Sequence, residues 1–162
     1  MPASSPLKLL LLVSLPLYLL DQVTKWLVVA YVSDPKPVLP GWFDLVYLTN
    51  TGAAWGMFQN GNAGFLVLSA AALAALGFLW RRGAFETRLA RVGFSLLAAG
   101  ILGNLTDRIA RQHVVDFLSF DLHIPGANPW PAFNVADSCI CVAVTAFLAG
   151  CWHDLRRPSG GR

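Results

Sequence analysis

The 162-residue chain is 56% hydrophobic and only 13% charged, with a mean hydropathy of +0.55. A soluble domain carries about 25% charged residues, so composition excludes an ordinary water-soluble globule and points to a membrane protein. The net charge of +3 is small and no basic stripe with interleaved aromatics occurs, which excludes a nucleic-acid-binding module.

Length predicts a single domain over residues 1–162. A membrane-crossing helix needs roughly 20 apolar residues, and four segments qualify: about 9–31, 63–80, 92–109 and 134–153. In the first, Asp21 and Lys25 are four apart with the acid first, the favourable order on a helix face. A charge-neutralising pair explains Lys25, and Asp21 is free to orient a neighbouring group as well. No small-x-small cleavage site follows, and the apolar run resumes after Lys25 as WLVVAY. The segment therefore reads as an uncleaved span and not as a signal peptide.

The next segment, 33–62, contains WFDLVYLTN (42–50), rich in aromatic and β-favouring residues between Pro40-Gly41 and Gly52. It predicts a short strand or small sheet. Trp42, Tyr47, Trp55, Phe58 and Trp130 suit the water–lipid boundary. In the third span, AGILGN (99–104) spaces Ala99, Gly100 and Gly103 for close helix approach, with Asn104 beside the contact. Asp107 lies about 22 Å up this span and Asp21 about 18 Å up the first. Asp107 and Arg111 form an i,i+4 pair. Arg108 faces elsewhere, and near the outer end it requires a carboxylate or carbonyl partner. Asn104-Leu105-Thr106 also spells a glycosylation acceptor, which at membrane depth is a chance match.

VVDF (114–117) sets Asp116 between apolar side chains, where a carboxylate resists ionisation; a turn or cap aspartate is the alternative. In the fourth span, Ser138 to Trp152 is only 15 residues, so Asn134 to Asp137 must be included to reach about 20. Asp137 then lies one turn inside the outer end. With Asn134 as N-cap, Asp137 occupies the third helical position, where a negative charge is favoured. Capping alone accounts for its presence. Cys139, Cys141 and Cys151 read as small apolar residues with no disulfide framework. His113 and Asp116 supply only two ligands, too few for a metal site. No cofactor or metal is expected. The tail RRPSGGR reads as frayed.

Lys8, Arg81, Arg82, Arg88, Arg91, Arg156, Arg157 and Arg162 gather on one side, set against Glu86 and Asp154. The positive-inside rule places that side and both termini in the cytoplasm. Segments 33–62 and 110–133 then face outward, and all three membrane-depth acids fall in the outer part of the bilayer. Asp116 and Asp137 flank one short outer segment, with Asn50, Asn104 and Arg108 at similar depth. Two carboxylates held close share one proton, so one deprotonates water while the other polarises a carbonyl. No Gly-x-Ser-x-Gly, His-Glu-x-x-His or Cys/His grouping competes. The rivals are a small proton-coupled carrier, which should show polar residues through both leaflets, and a structural scaffold whose acids only cap helices.

Five motifs in order, DQVTK (21–25), NTGAAWG (50–56), GILGNLTDR (100–108), VVDF (114–117) and FNVAD (133–137), make the chain resemble the lipoprotein signal peptidases, or signal peptidase II. The resemblance implies an all-α membrane protein: four transmembrane helices with a small extracytoplasmic β element, in the bacterial cytoplasmic membrane. It implies cleavage of prolipoproteins just before a diacylglyceryl-modified cysteine. By motif position the catalytic aspartates are Asp116 and Asp137, and the supporting residues are Asp21, Lys25, Asn50, Gly52, Asn104, Arg108 and Asn134. The 33–62 segment matches the sheet that cradles substrate. Expected partners are diacylglyceryl-modified prolipoproteins and membrane lipids, with the chain acting as a monomer. Ala99 and Ile101 depart from the smaller residues frequent in the family, and 119–132 is somewhat long.

Overall fold

The structure, a computed structural model, describes residues 6–52, 57–125 and 130–155. Residues 53–56 of NTGAAWG, Trp55 among them, part of the 119–132 stretch and the tail from 156 onward lie outside the described residues. A short helix α1 (Pro6–Leu9) widens into a π-helical turn (Leu10–Ser14) and continues as α2 (Leu15–Tyr31). Then follow strands β1 (Lys36–Leu39) and β2 (Phe43–Asn50), helices α3 (Asn62–Arg81) and α4 (Arg88–Arg111), strand β3 (Val114–Phe120) and helix α5 (Val135–Leu155). Among the described residues, four helices are long and apolar enough to cross a membrane: Leu10–Tyr31, Asn62–Arg81, Arg88–Arg111 and Val135–Trp152.

The first span is patterned inside out. It buries Ser14, Asp21, Lys25 and Val28, which share one helical stripe, while Leu19, Leu20, Val23, Trp26 and Leu27 face outward. That inversion belongs to a helix whose solvent is hydrocarbon. Helix α4 is the hub, packing against α5, α3 and α2. Thr87 caps its start, accepting from the Ala90 N–H at 3.1 Å. Gln112, at φ 64°, ends it and turns the chain into β3.

Two glycines set the close approach of α4. A Cβ on Gly100 would strike the main-chain oxygen of Ala136 and come within 2.7 Å of Ile140 Cγ1. One on Gly103 would lie 2.6 Å from Asp21 Oδ2 and 3.0 Å from Ala136 Cβ. Only hydrogen fits at either position, the role expected of AGILGN. Ala99 and Ile101 are accommodated: both are buried, and Ile101 joins Leu76 and Phe94 in an apolar cluster.

The strand expected within 42–50 is present as β2, the centre of a three-stranded antiparallel sheet in the order β1-β2-β3. The register pairs Leu48 with Asp116, Thr49 with Val115 and Asn50 with Val114. Asp116 therefore sits in a strand, not in a turn or cap. Val114 to Phe117 are buried without interruption, so the period-2 alternation that announces a half-exposed strand is missing. Val115 and Phe117 pack with Val28 and Val32, seating the sheet on the end of α2. Phe117 and Leu118 both donate main-chain N–H groups to Phe133 O, and the Phe133 N–H donates back to Leu118 O at 3.1 Å. This bridge draws residue 133 against β3 and places the start of α5 beside Asp116.

Candidate active site

The start of α5 is closed by a reciprocal cap. The Asp137 N–H donates to Asn134 Oδ1 at 2.9 Å, and the Asn134 N–H donates to Asp137 Oδ2 at 3.2 Å, the capping-box arrangement with aspartate in the third position. The Ala136 N–H, another unpaired donor of the first turn, is taken by Asp21 Oδ1 from α2 at 2.9 Å. Capping thus accounts for half of the Asp137 carboxylate. Its other oxygen, Oδ1, accepts from Asn104 Nδ2 at 2.7 Å.

Asp116 is held by two amides. Asn134 Nδ2 donates to Oδ1 at 2.7 Å, and Asn50 Nδ2 donates to Oδ2 at 2.9 Å. Asn134 therefore reaches both aspartates, one through its side chain and the other through its main chain. Asn50 is oriented in turn by the Gly52 N–H, which donates to its Oδ1 at 2.9 Å. Arg108 Nη2 donates to Gly52 O at 3.2 Å, the carbonyl partner expected for this cation, and its guanidinium lies 4.7 Å over the Phe65 ring. Gly52 is itself tight, since a Cβ there would collide with the main-chain oxygen of Met57.

Lys25 occupies the opposite side. It is fully buried and donates to Asp21 Oδ2 and Asp107 Oδ2, both at 2.9 Å, and to Asn104 Oδ1 at 3.0 Å. Three acceptors use the three donors of an ammonium. By occupying Asn104 Oδ1, Lys25 fixes the orientation of that amide and turns its NH2 toward Asp137. All nine residues expected at the site, Asp21, Lys25, Asn50, Gly52, Asn104, Arg108, Asp116, Asn134 and Asp137, thus belong to one continuous hydrogen-bond network.

The sequence missed part of this network. The i,i+4 spacing pairs Asp107 with Arg111, and that pair forms. Yet Asp107 Oδ2 also takes Lys25 and the main-chain N–H of Val115, the latter at 3.2 Å. The available signal was depth, because Asp107 stands level with the other acids. Gln22 was missed as well; its Nε2 donates to Asp21 Oδ2 at 3.0 Å and to Gly103 O at 3.2 Å. His113 stands apart: its Nε2 is buried without a hydrogen-bond partner. Among the described residues, no group of three His, Cys, Asp or Glu side chains is placed to hold a metal.

The electrostatics separate Asp116 from an ordinary surface acid. Burial, reinforced by the negative charge of nearby Asp137, pushes its carboxyl up from 3.8 to about 7. The amide donors of Asn50 and Asn134 and the charge of Lys25 pull the other way and lose. A carboxyl that titrates near neutral pH can give a proton in one state and take one in the other.

Comparison with known proteins agrees along nearly the whole chain. The family model described as Signal peptidase (SPase) II matches residues 13–153. The chain is 40% identical to the lipoprotein signal peptidase of Syntrophotalea carbinolica over 152 residues, which cover 91% of this chain and 92% of that one. It is 44% identical to that of Nitratidesulfovibrio vulgaris over 138 residues, covering 81% and 80%. A solved bacterial membrane enzyme superposes with a TM-score of 0.85 at 28% identity, covering 94% of this chain and 93% of that one. A second superposes with a TM-score of 0.77 at 29% identity, covering 88% and 91%. The chain belongs to the signal peptidase II family.

Proposed function

We propose that this protein is an intramembrane aspartyl endopeptidase that removes signal peptides from prolipoproteins, cutting just before the diacylglyceryl-modified cysteine. Asp116 and Asp137 are the catalytic pair. The observation that carries this reading is Asn134, which holds both carboxylates at once and sets them on one side of the α5 start. Family membership favours a peptidase over the carrier and the scaffold.

In this mechanism the pair carries one proton. The ionised carboxylate takes a proton from water, and the hydroxide formed attacks the scissile carbonyl. The protonated carboxyl donates to the carbonyl oxygen, and a proton then passes to the departing amine. Asn50, Asn104 and Asn134 hold the two carboxylates in place, and Arg108 holds the Gly52 main chain beside them. The acyl chains of the substrate lie against the apolar faces of the helices and hold the scissile bond at the depth of the pair, so that reaction needs little further search. The single domain acts as a monomer in the bacterial cytoplasmic membrane with both termini inside. Lys8, Arg81, Arg82, Arg88 and Arg91 support that orientation, because they lie at the end of the bundle remote from the pair.

The test uses purified protein in detergent with a lipid-modified preprolipoprotein and EDTA, beside Asp116→Asn and Asp137→Asn. Cleavage by the unmodified protein and its loss in each variant is the expected result. Persistent cleavage by either variant, or loss of activity with EDTA, overturns the reading.

A further inference from the structure

We infer that Asp107 is the positioning residue that ties the two candidate catalytic carboxylates to a common frame. The inference rests on the proposed pair and extends it to a side chain that contacts neither member. Asp107 is fully buried on α4, and its two oxygens are divided among three elements. Oδ1 pairs with Arg111 one turn on. Oδ2 accepts both the Val115 N–H of β3 and the Lys25 ammonium of α2.

Each Oδ2 contact leads to a different member of the pair. Val115 is the residue before Asp116, so its N–H bond to Asp107 fixes the height at which β3 presents that carboxylate. Lys25, pulled between Asp107 and Asp21, donates to Asn104 Oδ1, and Asn104 Nδ2 then donates to Asp137 Oδ1. One oxygen atom thus sets the location of Asp116 through a strand and the partner of Asp137 through a lysine and an amide. Asp21, the other counter-charge of Lys25, does not substitute: its remaining contacts are to the α5 main chain and Gln22, and it makes none to β3.

A residue that only neutralised Lys25 would be replaceable by any carboxylate nearby. A positioning residue needs its oxygen at one place, because displacements of about 1 Å at supporting residues cost on the order of 10²-fold in rate. The two roles separate in Asp107→Glu, which keeps the charge but moves it out by one methylene, and in Asp107→Asn, which keeps the shape but loses the charge.

Both variants are purified in detergent with the unmodified protein. Cleavage of a lipid-modified preprolipoprotein is followed to obtain kcat and KM, and thermal unfolding is followed in parallel. Asp107→Asn is expected to lower kcat about 10–100-fold with KM changed less than about 3-fold, the split that marks lost transition-state geometry and not lost binding. Asp107→Glu is expected to unfold nearer the unmodified protein while kcat stays at least about 5-fold down. The inference is overturned if kcat in Asp107→Glu returns to that of the unmodified protein, if Asp107→Asn stays within about 2-fold of it, or if the loss appears in KM. Should Asp107→Asn not fold, the Asp107→Glu result decides alone. If Asp116→Asn and Asp137→Asn still cleave, the catalytic pair itself is wrong; if they are inactive and both Asp107 variants are normal, only the positioning role fails.

Discussion

Lys25 donates to Asn104 Oδ1 at 3.0 Å from a position with no solvent exposure. A buried cation is thereby spent on orienting a neutral amide. That amide, not the lysine, meets the Asp137 carboxylate.

Removing the cation tests that arrangement. Lys25→Met leaves Asp21 and Asp107 buried without their shared partner, and breaking a buried pair from one side costs about 3–5 kcal/mol. Asn104 also loses the shorter of the two donors to its Oδ1, keeping Asn134 Nδ2 at 3.3 Å, and its hold on Asp137 loosens. The expected outcome is a large drop in the thermal unfolding temperature in detergent together with loss of cleavage. Asp21→Asn, which leaves Lys25 paired with Asp107, should be milder on both measures.

The pH dependence follows from Asp116. Its folded value of about 7 lies above its ordinary 3.8, so between those values the folded chain binds a proton that the unfolded chain does not. Stability from this group is present at the acid end of that window and falls as pH rises through it. Unfolding temperatures measured from pH 4.5 to 8 should decline, and Asp116→Asn should flatten the slope. In the proposed mechanism cleavage also fails when the pair loses its single proton, so kcat/KM should show an alkaline limb near pH 7.

Asn134→Ala removes an N-cap, worth about 1 kcal/mol, and one of the two donors to Asp116. Because that donor pulls the Asp116 value down, its loss should move the alkaline limb to higher pH while lowering kcat. A limb that stays in place would show that the Asn134 side chain does not act on Asp116.

Gly103→Ala inserts a methyl 2.6 Å from Asp21 Oδ2. Overpacking costs about 1–3 kcal/mol, and here the displaced atom is a partner of Lys25. Activity should fall further than for Ala substitution at Gly64, where a Cβ meets nothing within 4 Å.

The parts of this protein that could be read from its sequence are those that lipid dictates. Span positions, the close packing at Gly100 and Gly103, the β2 strand and the Asn134–Asp137 cap all follow from local pattern, and each is present. The third strand was hidden because Val114 to Phe117 bury both faces and so lack alternation. Asp107 was hidden for a different reason. Its i,i+4 arginine offered a complete local explanation, and nothing in one dimension shows that the same carboxylate also reaches α2 and β3. The Leu118–Phe133 bridge, which joins the two halves of the site, depends on a return of the chain that periodicity does not encode.

The inverted first helix bears on how the molecule is made. Its apolar window is the least hydrophobic of the four, with a mean hydropathy of 1.3, and that of α4 is next at 1.4. These are the two spans that carry Asp21, Lys25, Asp107 and Arg108. Each carries a charge pair of its own, Asp21 with Lys25 and Asp107 with Arg111, but two of the three Lys25 acceptors, Asp107 and Asn104, come from α4, and α3 is synthesised between them. The nascent first span therefore holds Lys25 with one of its three acceptors through some 80 residues of synthesis.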